Sequence, residues 1–203
     1  MTDNFQLPPA SASQGSHENL GKPRLCIFCG SRLGMMPGFA ESARALGRLC
    51  AVSGIGIVYG GASIGLMGLV ADAALDAGGE VIGVMPQALA DLEIAHPGLS
   101  KLHIVVDMHE RKAMMSSLAD GFVALPGGLG TFEELLEITT WRILGIHEKP
   151  CMILNTDGYF QPLFAMLDKT VAMGFMKAAS RDVLESFDSP DSLIESFLGR
   201  LPQ

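Results

Sequence analysis

The chain has 203 residues, of which 48% are hydrophobic and 18% charged, and its formal net charge at pH 7 is −8. The length suits one α/β domain and is short for two, and a chain this apolar is not disordered over most of its length. The negative charge argues against a nucleic-acid-binding surface, because polymer phosphates are held by clustered Lys and Arg. A mononucleotide is still allowed, since it needs only one local positive pocket.

Residues 1–22 are rich in Ser, Pro, Gln and Asn. They predict a disordered tail that precedes a single domain over residues 23–203. The tail lacks the basic start and apolar run of a secretory signal, and no apolar stretch of about 20 residues predicts a membrane span. Cys26 and Cys29 form a CxxC pair, but residues three apart on a strand point to opposite faces. We therefore expect no metal or disulfide there, and a cytoplasmic protein with reduced cysteines.

Apolar strands and amphipathic helices alternate along the rest of the chain. The predicted strands are Arg24–Phe28, Gly56–Tyr59, Val81–Met85, His103–Val106, Phe122–Leu125, Cys151–Leu154 and Val183–Phe187. The predicted helices are Pro37–Val52, Gly65–Ala77, Met108–Leu118, Gly130–Leu144, Tyr159–Met173 and Pro190–Leu198. Residues 86–100 form an irregular connection with room for one short helix. This pattern indicates a Rossmann-like, doubly wound parallel sheet in a three-layer α/β/α domain, whose ligands bind at the carboxyl ends of the strands.

Glycine-rich turns follow the first two strands. The small residues of Cys29–Ser31 could admit a base or a ribose, or form a plain turn. Gly61–Gly65 reads GASIG and matches the GxSxG nucleophile elbow. The chain is short for an α/β-hydrolase, and only His147 follows as a plausible partner for the serine. A turn that favours anions is therefore the preferred interpretation of this segment.

A basic pair follows the fourth predicted strand, in the sequence MHERKAM at Met108–Met114. Arg111 offers a forked donor for a phosphate or a ring nitrogen, and Lys112 offers a point charge. Cations are unfavourable at a helix N-terminus, so the pair predicts a compensating anion. The alternative is a solvated basic pair that opens a helix.

The most informative segment is PGGLGTFEE at Pro126–Glu134, which leaves a strand and enters a helix. Its glycines are Gly127, Gly128 and Gly130. They let backbone N–H groups approach a ligand, and together with the helix dipole these groups make an anion site. Thr131 adds a hydroxyl donor. Glu133 and Glu134 either complement the helix dipole or act on a bound phosphoribosyl group, and a turn needed only for packing is the alternative.

The PGGxGTxxE pattern and the upstream Met108–Lys112 together closely resemble the Lonely Guy family of cytokinin-activating phosphoribohydrolases. Leu144–His147, Cys29–Ser31 and Gly65–Gly68 resemble the same family. The resemblance implies a Rossmann-like fold, a homodimer with sites near the interface, and no cofactor. It implies hydrolysis of N6-substituted adenosine monophosphates, often of AMP as well, to the base and ribose 5-phosphate. Members have often been labelled lysine decarboxylases, but no lysine here stands in a recognisable pyridoxal-phosphate context.

The resemblance also assigns roles residue by residue. Arg111 and Glu134 are the catalytic pair. The substrate-binding residues are Ser31, Gly61, Glu93, Met108, Lys112, Gly127, Gly128, Gly130, Thr131, Glu133 and Thr139. No metal is expected, because the acidic residues are scattered. Ala62 stands where family members often have a glycine, which affects the expected substrate preference more than the expected activity.

A mechanism follows from the charge that develops when a glycosidic bond breaks, because the transition state resembles an oxocarbenium ion. The turn at Gly127–Thr131 would hold the phosphate. Glu134 would stabilise the sugar cation or direct water onto the anomeric carbon, and Arg111 would orient the nucleotide and offset charge on the leaving side. Two alternatives stay open: a nucleosidase for other nucleoside 5′-monophosphates, and a non-catalytic protein that binds a nucleotide or the molybdenum cofactor.

Overall fold

The computed structural model describes residues 21–91 and 94–201. Its strands are β1 (Arg24–Phe28), β2 (Gly56–Tyr59), β3 (Val81–Pro86), β4 (Lys101–Val105), β5 (Gly121–Ala124), β6 (Cys151–Leu154) and β7 (Leu184–Phe187). Its helices are α1 (Pro37–Val52), α2 (Gly65–Asp76), α3 (Gln87–Ala90), α4 (Met108–Leu118), α5 (Leu129–Ile143), α6 (Gln161–Ala172), α7 (Ala178–Arg181) and α8 (Pro190–Leu198), with a 3₁₀ turn at Thr156–Gly158.

The strands form one parallel sheet in the order β4-β3-β2-β1-β5-β6-β7. The chain winds outward from β1 in one direction and then returns to place β5 on its other side. The helices that follow β1 and β5 therefore lie on opposite faces of the sheet, and a crevice opens at its carboxyl edge where the two loops meet. Ligands of open α/β sheets bind at such a switch point.

Helices cover both faces of the sheet and give the predicted three layers. One buried cluster joins the sheet to α1 and α8, through residues that include Phe39, Leu46 and Phe197. The other joins it to α4 and α5, through residues that include Met115 and Leu135. Strands that are buried on both faces explain the continuous apolar runs in the sequence.

Some predicted boundaries differ from the structure. β4 begins at Lys101, not at His103, because Lys101 pairs with Ile82 although most of this edge strand is exposed. The helix predicted to begin at Tyr159 begins at Gln161, with Pro162 in its first turn, where proline is accommodated. The irregular connection contains the short helix α3.

Residues 1–20 and Glu93 lie outside the described residues, so the tail, the domain limits and the contact assigned to Glu93 stay predictions. None of the helices in residues 21–91 and 94–201 is long and apolar enough to cross a membrane.

Candidate active site

The loops after β1, β2 and β5 meet at the crevice, and backbone hydrogen bonds join them. The Gly30 N–H donates to the carbonyl of Pro126 at 3.0 Å, and the Leu66 N–H donates to the carbonyl of Gly30 at 3.0 Å. Gly127 cannot carry a side chain here, because a Cβ would lie 2.1 Å from Thr131 Oγ1. The glycines therefore allow the ends of β1 and β5 and the start of α2 to pack closely around one space.

The N-terminus of α5 opens into this space. Gly128 caps the helix without a side-chain hydrogen bond, and the first backbone bond runs from the Phe132 N–H to the Gly128 carbonyl at 3.1 Å. The amides of the first helical turn have no partner within a helix. Gly128 and Gly130 are exposed, and no atom lies within 4 Å of a Cβ built on either. The result is an accessible group of N–H donors at the positive end of a helix dipole, which suits an anion.

Arg111 and Glu134 form a buried ion pair beside these donors. Arg111 Nη1 lies 3.4 Å from Glu134 Oε1, and the two side chains are 11% and 10% exposed. Arg111 Nε donates to the carbonyl of Val84 at 3.1 Å, which fixes the guanidinium against β3. The guanidinium also packs on Gly60, where a Cβ would lie 2.2 Å from Nη2. Two positions distant in sequence, Gly60 and Val84, thus hold the arginine in place.

Burial makes Glu134 an unusual carboxylate. Desolvation raises its pKa from 4.5 to about 6, although the positive charge of Arg111 acts in the opposite direction. At neutral pH the group is therefore mainly ionised but weakly hydrated. Such a carboxylate can stabilise a nearby cation or accept a proton from water more readily than a solvated one.

A cavity of about 270 Å³ brings the donors and the ion pair together. Six predicted site residues line it: Ser31, Arg111, Gly128, Gly130, Thr131 and Glu134. Cys29, Gly30, Met67 and Leu129 complete its wall. Among residues 21–91 and 94–201, no group of three or more His, Cys, Asp or Glu side chains is arranged to hold a metal ion.

The other predicted residues that the structure describes do not line this cavity. Gly127 lines a neighbouring cavity, described below. Gly61 has a φ of +83° and lies against Leu102 and Met85. Met108 accepts a weak hydrogen bond from Arg111 Nη1 through its sulfur, at 3.7 Å. The hydroxyl of Thr139 donates to the carbonyl of Leu135 at 2.7 Å inside the domain, so in this chain its hydrogen bond is made within α5.

Lys112 does not face the cavity, because two carboxylates of α5 hold it. Its ammonium group donates to Glu133 and lies 2.9 Å from Glu137. Burial alone would lower the pKa of Lys112, but the hydrogen bonds and charges of these carboxylates outweigh it and raise the pKa above its ordinary value.

The expectation that the basic pair needs a bound anion is therefore too simple, since protein carboxylates supply the compensation.

Asp107 was missed by the sequence reasoning. It caps α4 by accepting from the N–H groups of His109 and Glu110, both at 2.9 Å. The Asp-x-x-Glu spacing of Asp107 and Glu110 is a helix-start signal that could have identified it. Arg111 is consequently the fourth residue of α4, beyond the first turn.

The GxSxG match does not form a nucleophile elbow. The hydroxyl of Ser63 donates to the carbonyl of Ile94 at 3.3 Å. His147 has both ring nitrogens engaged, since Nε2 donates to the carbonyl of Ile138 at 2.9 Å and Nδ1 accepts from the N–H of Lys149 at 3.2 Å. Its role in the loop between α5 and β6 is therefore structural.

Solved structures share this fold. The chain superposes on a molybdenum cofactor binding protein from Rippkaea orientalis with a TM-score of 0.69 and 23% identity, covering 89% of this chain and 98% of that one. It superposes on the molybdenum cofactor carrier protein of Chlamydomonas reinhardtii with a TM-score of 0.65 and 20% identity, covering 89% and 99% of the two chains. At these identities the likeness concerns the fold alone.

Similarity in sequence identifies the family, which the likeness in fold does not. The family model described as "Possible lysine decarboxylase" matches residues 67–197. A protein from Oryza sativa subsp. japonica named probable cytokinin riboside 5′-monophosphate phosphoribohydrolase is 50% identical over 84% of this chain and 77% of its own length. A cytokinin riboside 5′-monophosphate phosphoribohydrolase from Rhodococcoides fascians is 45% identical over 87% of this chain and 90% of its own length. With the motifs and the fold, these matches show that the chain belongs to the Lonely Guy family, whose family model carries the lysine decarboxylase description.

Proposed function

We propose that this chain hydrolyses the N-glycosidic bond of adenosine 5′-monophosphates, N6-substituted ones included, and releases the adenine-type base and ribose 5-phosphate. The observation that carries the proposal is the buried ion pair of Arg111 and Glu134 in the same cavity as the open N-terminus of α5. Relatives at 45–50% identity are named for this reaction.

The substrate phosphate binds at the start of α5. The N–H groups of residues 129–131 and the hydroxyl of Thr131 lie at the edge of the catalytic cavity where the start of α5 favours an anion. Binding energy from the phosphate positions the ribose without taking part in the bond that breaks. Gly130 leaves the necessary room, since nothing lies within 4 Å of its Cβ position.

The carboxylate of Glu134 acts at the anomeric carbon. As the C1′–N bond lengthens, its electron pair leaves with the base, which takes up a proton, and positive charge spreads over C1′ and the ring oxygen. A weakly hydrated carboxylate stabilises that charge and accepts the proton of the water that adds to C1′. The raised pKa of about 6 still leaves Glu134 ionised at neutral pH.

Arg111 has two tasks. Its charge opposes the effect of burial on Glu134 and so maintains the ionised carboxylate. Because Nε is held by the Val84 carbonyl, the guanidinium keeps a fixed orientation towards the cavity and can donate to the departing base.

Two other activities fit the site less well. A lysine decarboxylase would need an amine in the cavity that loses its proton, but no lysine of the described residues lines the cavity, and the carboxylates around Lys112 raise its pKa. A carrier for a nucleotide or the molybdenum cofactor would not need a desolvated carboxylate with a pKa raised to about 6 inside its cavity.

We also propose a homodimer that uses α5. Leu129, Leu136 and Ile143 are seven residues apart on this helix and all are exposed, so they form one apolar stripe. Leu129 also lines the catalytic cavity, which places the stripe next to the site. We further propose a cytoplasmic location, because the four cysteines are buried and unbridged.

A panel of AMP, N6-isopentenyl-AMP, CMP, UMP and GMP, with free base measured by chromatography, tests the reaction and its base preference. We expect release of adenine or N6-isopentenyladenine and little release from pyrimidine nucleotides. Glu134→Gln should lower kcat by about a hundredfold or more while AMP still binds. Glu148→Gln, a change at an exposed residue of the α5–β6 loop, should leave kcat unaltered. Near-normal turnover by Glu134→Gln contradicts the assigned role.

A further inference from the structure

A second cavity adjoins the catalytic one and is larger, at about 380 Å³. We call it the Phe39 pocket. Its apolar wall consists of Leu33, Phe39, Leu66, Pro126 and Tyr159. Its volume falls within the range of about 300–1,000 Å³ that is usual for small-molecule sites. None of the residues assigned to catalysis lines it.

The two cavities share one wall. Gly30, Ser31 and Gly128 line both, and Gly127 lines the Phe39 pocket alone. Gly128 of this wall caps α5, so the wall adjoins the start of α5 at which the substrate phosphate binds in the proposed function. The sugar lies on the Glu134 side of the phosphate, so a substituent on the far side of the phosphate would extend into the Phe39 pocket.

The pocket is built around aromatic side chains that the phosphate-binding turn holds in place. The hydroxyl of Tyr159 donates to the carbonyl of Gly127 at 2.5 Å. The rings of Phe39 and Tyr159 meet edge to face, with centroids 5.6 Å apart. Phe39 packs directly on Gly34, whose φ of +73° and lack of a Cβ permit the contact. A planar, largely apolar group such as a nucleobase suits this wall.

A positive charge stands beside the shared wall. Arg32 lines the pocket and is exposed. No carboxylate within residues 21–91 and 94–201 forms a salt bridge with it. In a chain with a net charge of −8, an arginine with no salt bridge next to an anion site favours a second phosphate.

We propose that the Phe39 pocket binds the part of a nucleotide that lies beyond its 5′-phosphate, so that this chain takes dinucleotides joined through a diphosphate as well as monophosphates. Arg32 binds the second phosphate, and the Phe39 and Tyr159 wall packs against the second base. The proposal rests on the proposed function for the position of the first phosphate.

The test compares three ligands that add these parts in turn: AMP, ADP and diadenosine 5′,5″-diphosphate. Calorimetry on the Glu134→Gln protein gives affinities without turnover. ADP should bind several-fold more tightly than AMP, and the dinucleotide about tenfold more tightly than ADP, since stacking of one base on an aromatic wall commonly gives a factor of this size.

Matched variants separate the contributions. Arg32→Ala should remove the gain from AMP to ADP. Leu33→Trp, a filling change at the mouth of the pocket, should remove the gain from ADP to the dinucleotide and leave AMP affinity unchanged. Met166→Trp, at an exposed methionine of α6, is the control and should preserve both gains.

The proposal is overturned if the dinucleotide binds no more tightly than AMP, or if its gain persists in Leu33→Trp. Release of adenine from AMP by the unmodified protein is a separate measurement. If adenine is not released, but the gains in affinity are observed and the variants remove them, the pocket proposal is supported and the proposed hydrolysis fails. If adenine is released but the gains are absent, only the pocket proposal fails.

Discussion

The buried carboxylate of Glu134 should leave a signature in the pH dependence of stability. Its pKa is about 6 in the folded chain against an ordinary value of 4.5, so folding favours the protonated form. Stability from this group is complete below pH 4.5 and is lost as the pH rises to about 6. The rise in the pKa of Glu134 from 4.5 to about 6 corresponds to about 2 kcal/mol of unfolding free energy. The side chain is only 10% exposed, so solvent screens its charge little.

The assay is urea unfolding of the wild type and of Glu134→Gln at pH 4.5 and pH 7.5. The glutamine cannot titrate, so the variant should gain about 1.5 kcal/mol relative to the wild type between these pH values, which is most of the full effect because half of the unfolded carboxyl groups are already ionised at pH 4.5. The loss of a partner for Arg111 in the variant is independent of pH and cancels in this comparison. Glu148→Gln, at an exposed site, should show no such change.

A stability difference between the wild type and Glu134→Gln that is the same at pH 4.5 and pH 7.5 would refute the reasoning. It would mean that Glu134 is solvated in the folded chain. The carboxylate would then lack the weak hydration on which its role at the sugar depends.

Three further predictions concern activity and assembly. The kcat/KM for AMP should fall as the pH drops below about 6, because protonated Glu134 cannot stabilise a cation. The substrate phosphate also titrates in this range. The binding of ribose 5-phosphate to Glu134→Gln over the same pH range measures that second effect alone, so it can be subtracted. Gly60→Ala should displace the guanidinium of Arg111, because Nη2 would lie 2.2 Å from the new Cβ. We expect kcat to fall at least about tenfold with little change in Tm. Gly199→Ala is the control: its new Cβ makes only ordinary contacts, so kcat and Tm should both stay the same. Leu136→Glu on α5 should shift the chain from dimer to monomer in sedimentation velocity, and Leu198→Glu, at an equally exposed leucine of α8, should not; an unchanged dimer in the first variant places the interface elsewhere.

The alternation of apolar strands and amphipathic helices was sufficient to predict the fold. Hydrophobic periodicity is local, and the predicted bounds of β1, β2, α1, α4 and α8 agree with the structure. The start of β4 was missed because an edge strand with exposed residues lacks the continuous apolar run of the central strands. The short helix α3 has too few residues to produce a periodic pattern.

The site was predictable in its parts but not in its arrangement. The glycine turn and the two charged residues are visible in the sequence. The support of Arg111 by the Val84 carbonyl and by Gly60 is a tertiary contact between elements far apart in the chain, and no local pattern reports it. For the same reason the sequence alone did not show that Lys112 would be neutralised by α5.

Glu133 and Glu134 are adjacent and chemically identical, but the two side chains have different surroundings. Both follow the proposed phosphate-binding turn, and in the sequence either is placed to complement the helix dipole. Leu135 and Ile138 are buried and mark the inward face of α5, so a turn of about 100° per residue directs Glu134 to the edge of that face and Glu133 away from it. The side chains are accordingly 10% and 52% exposed. The desolvated carboxylate of Glu134 has a raised pKa and faces the cavity, and its neighbour instead holds Lys112. Helix geometry thus favours Glu134 over its identical neighbour for the proposed chemistry.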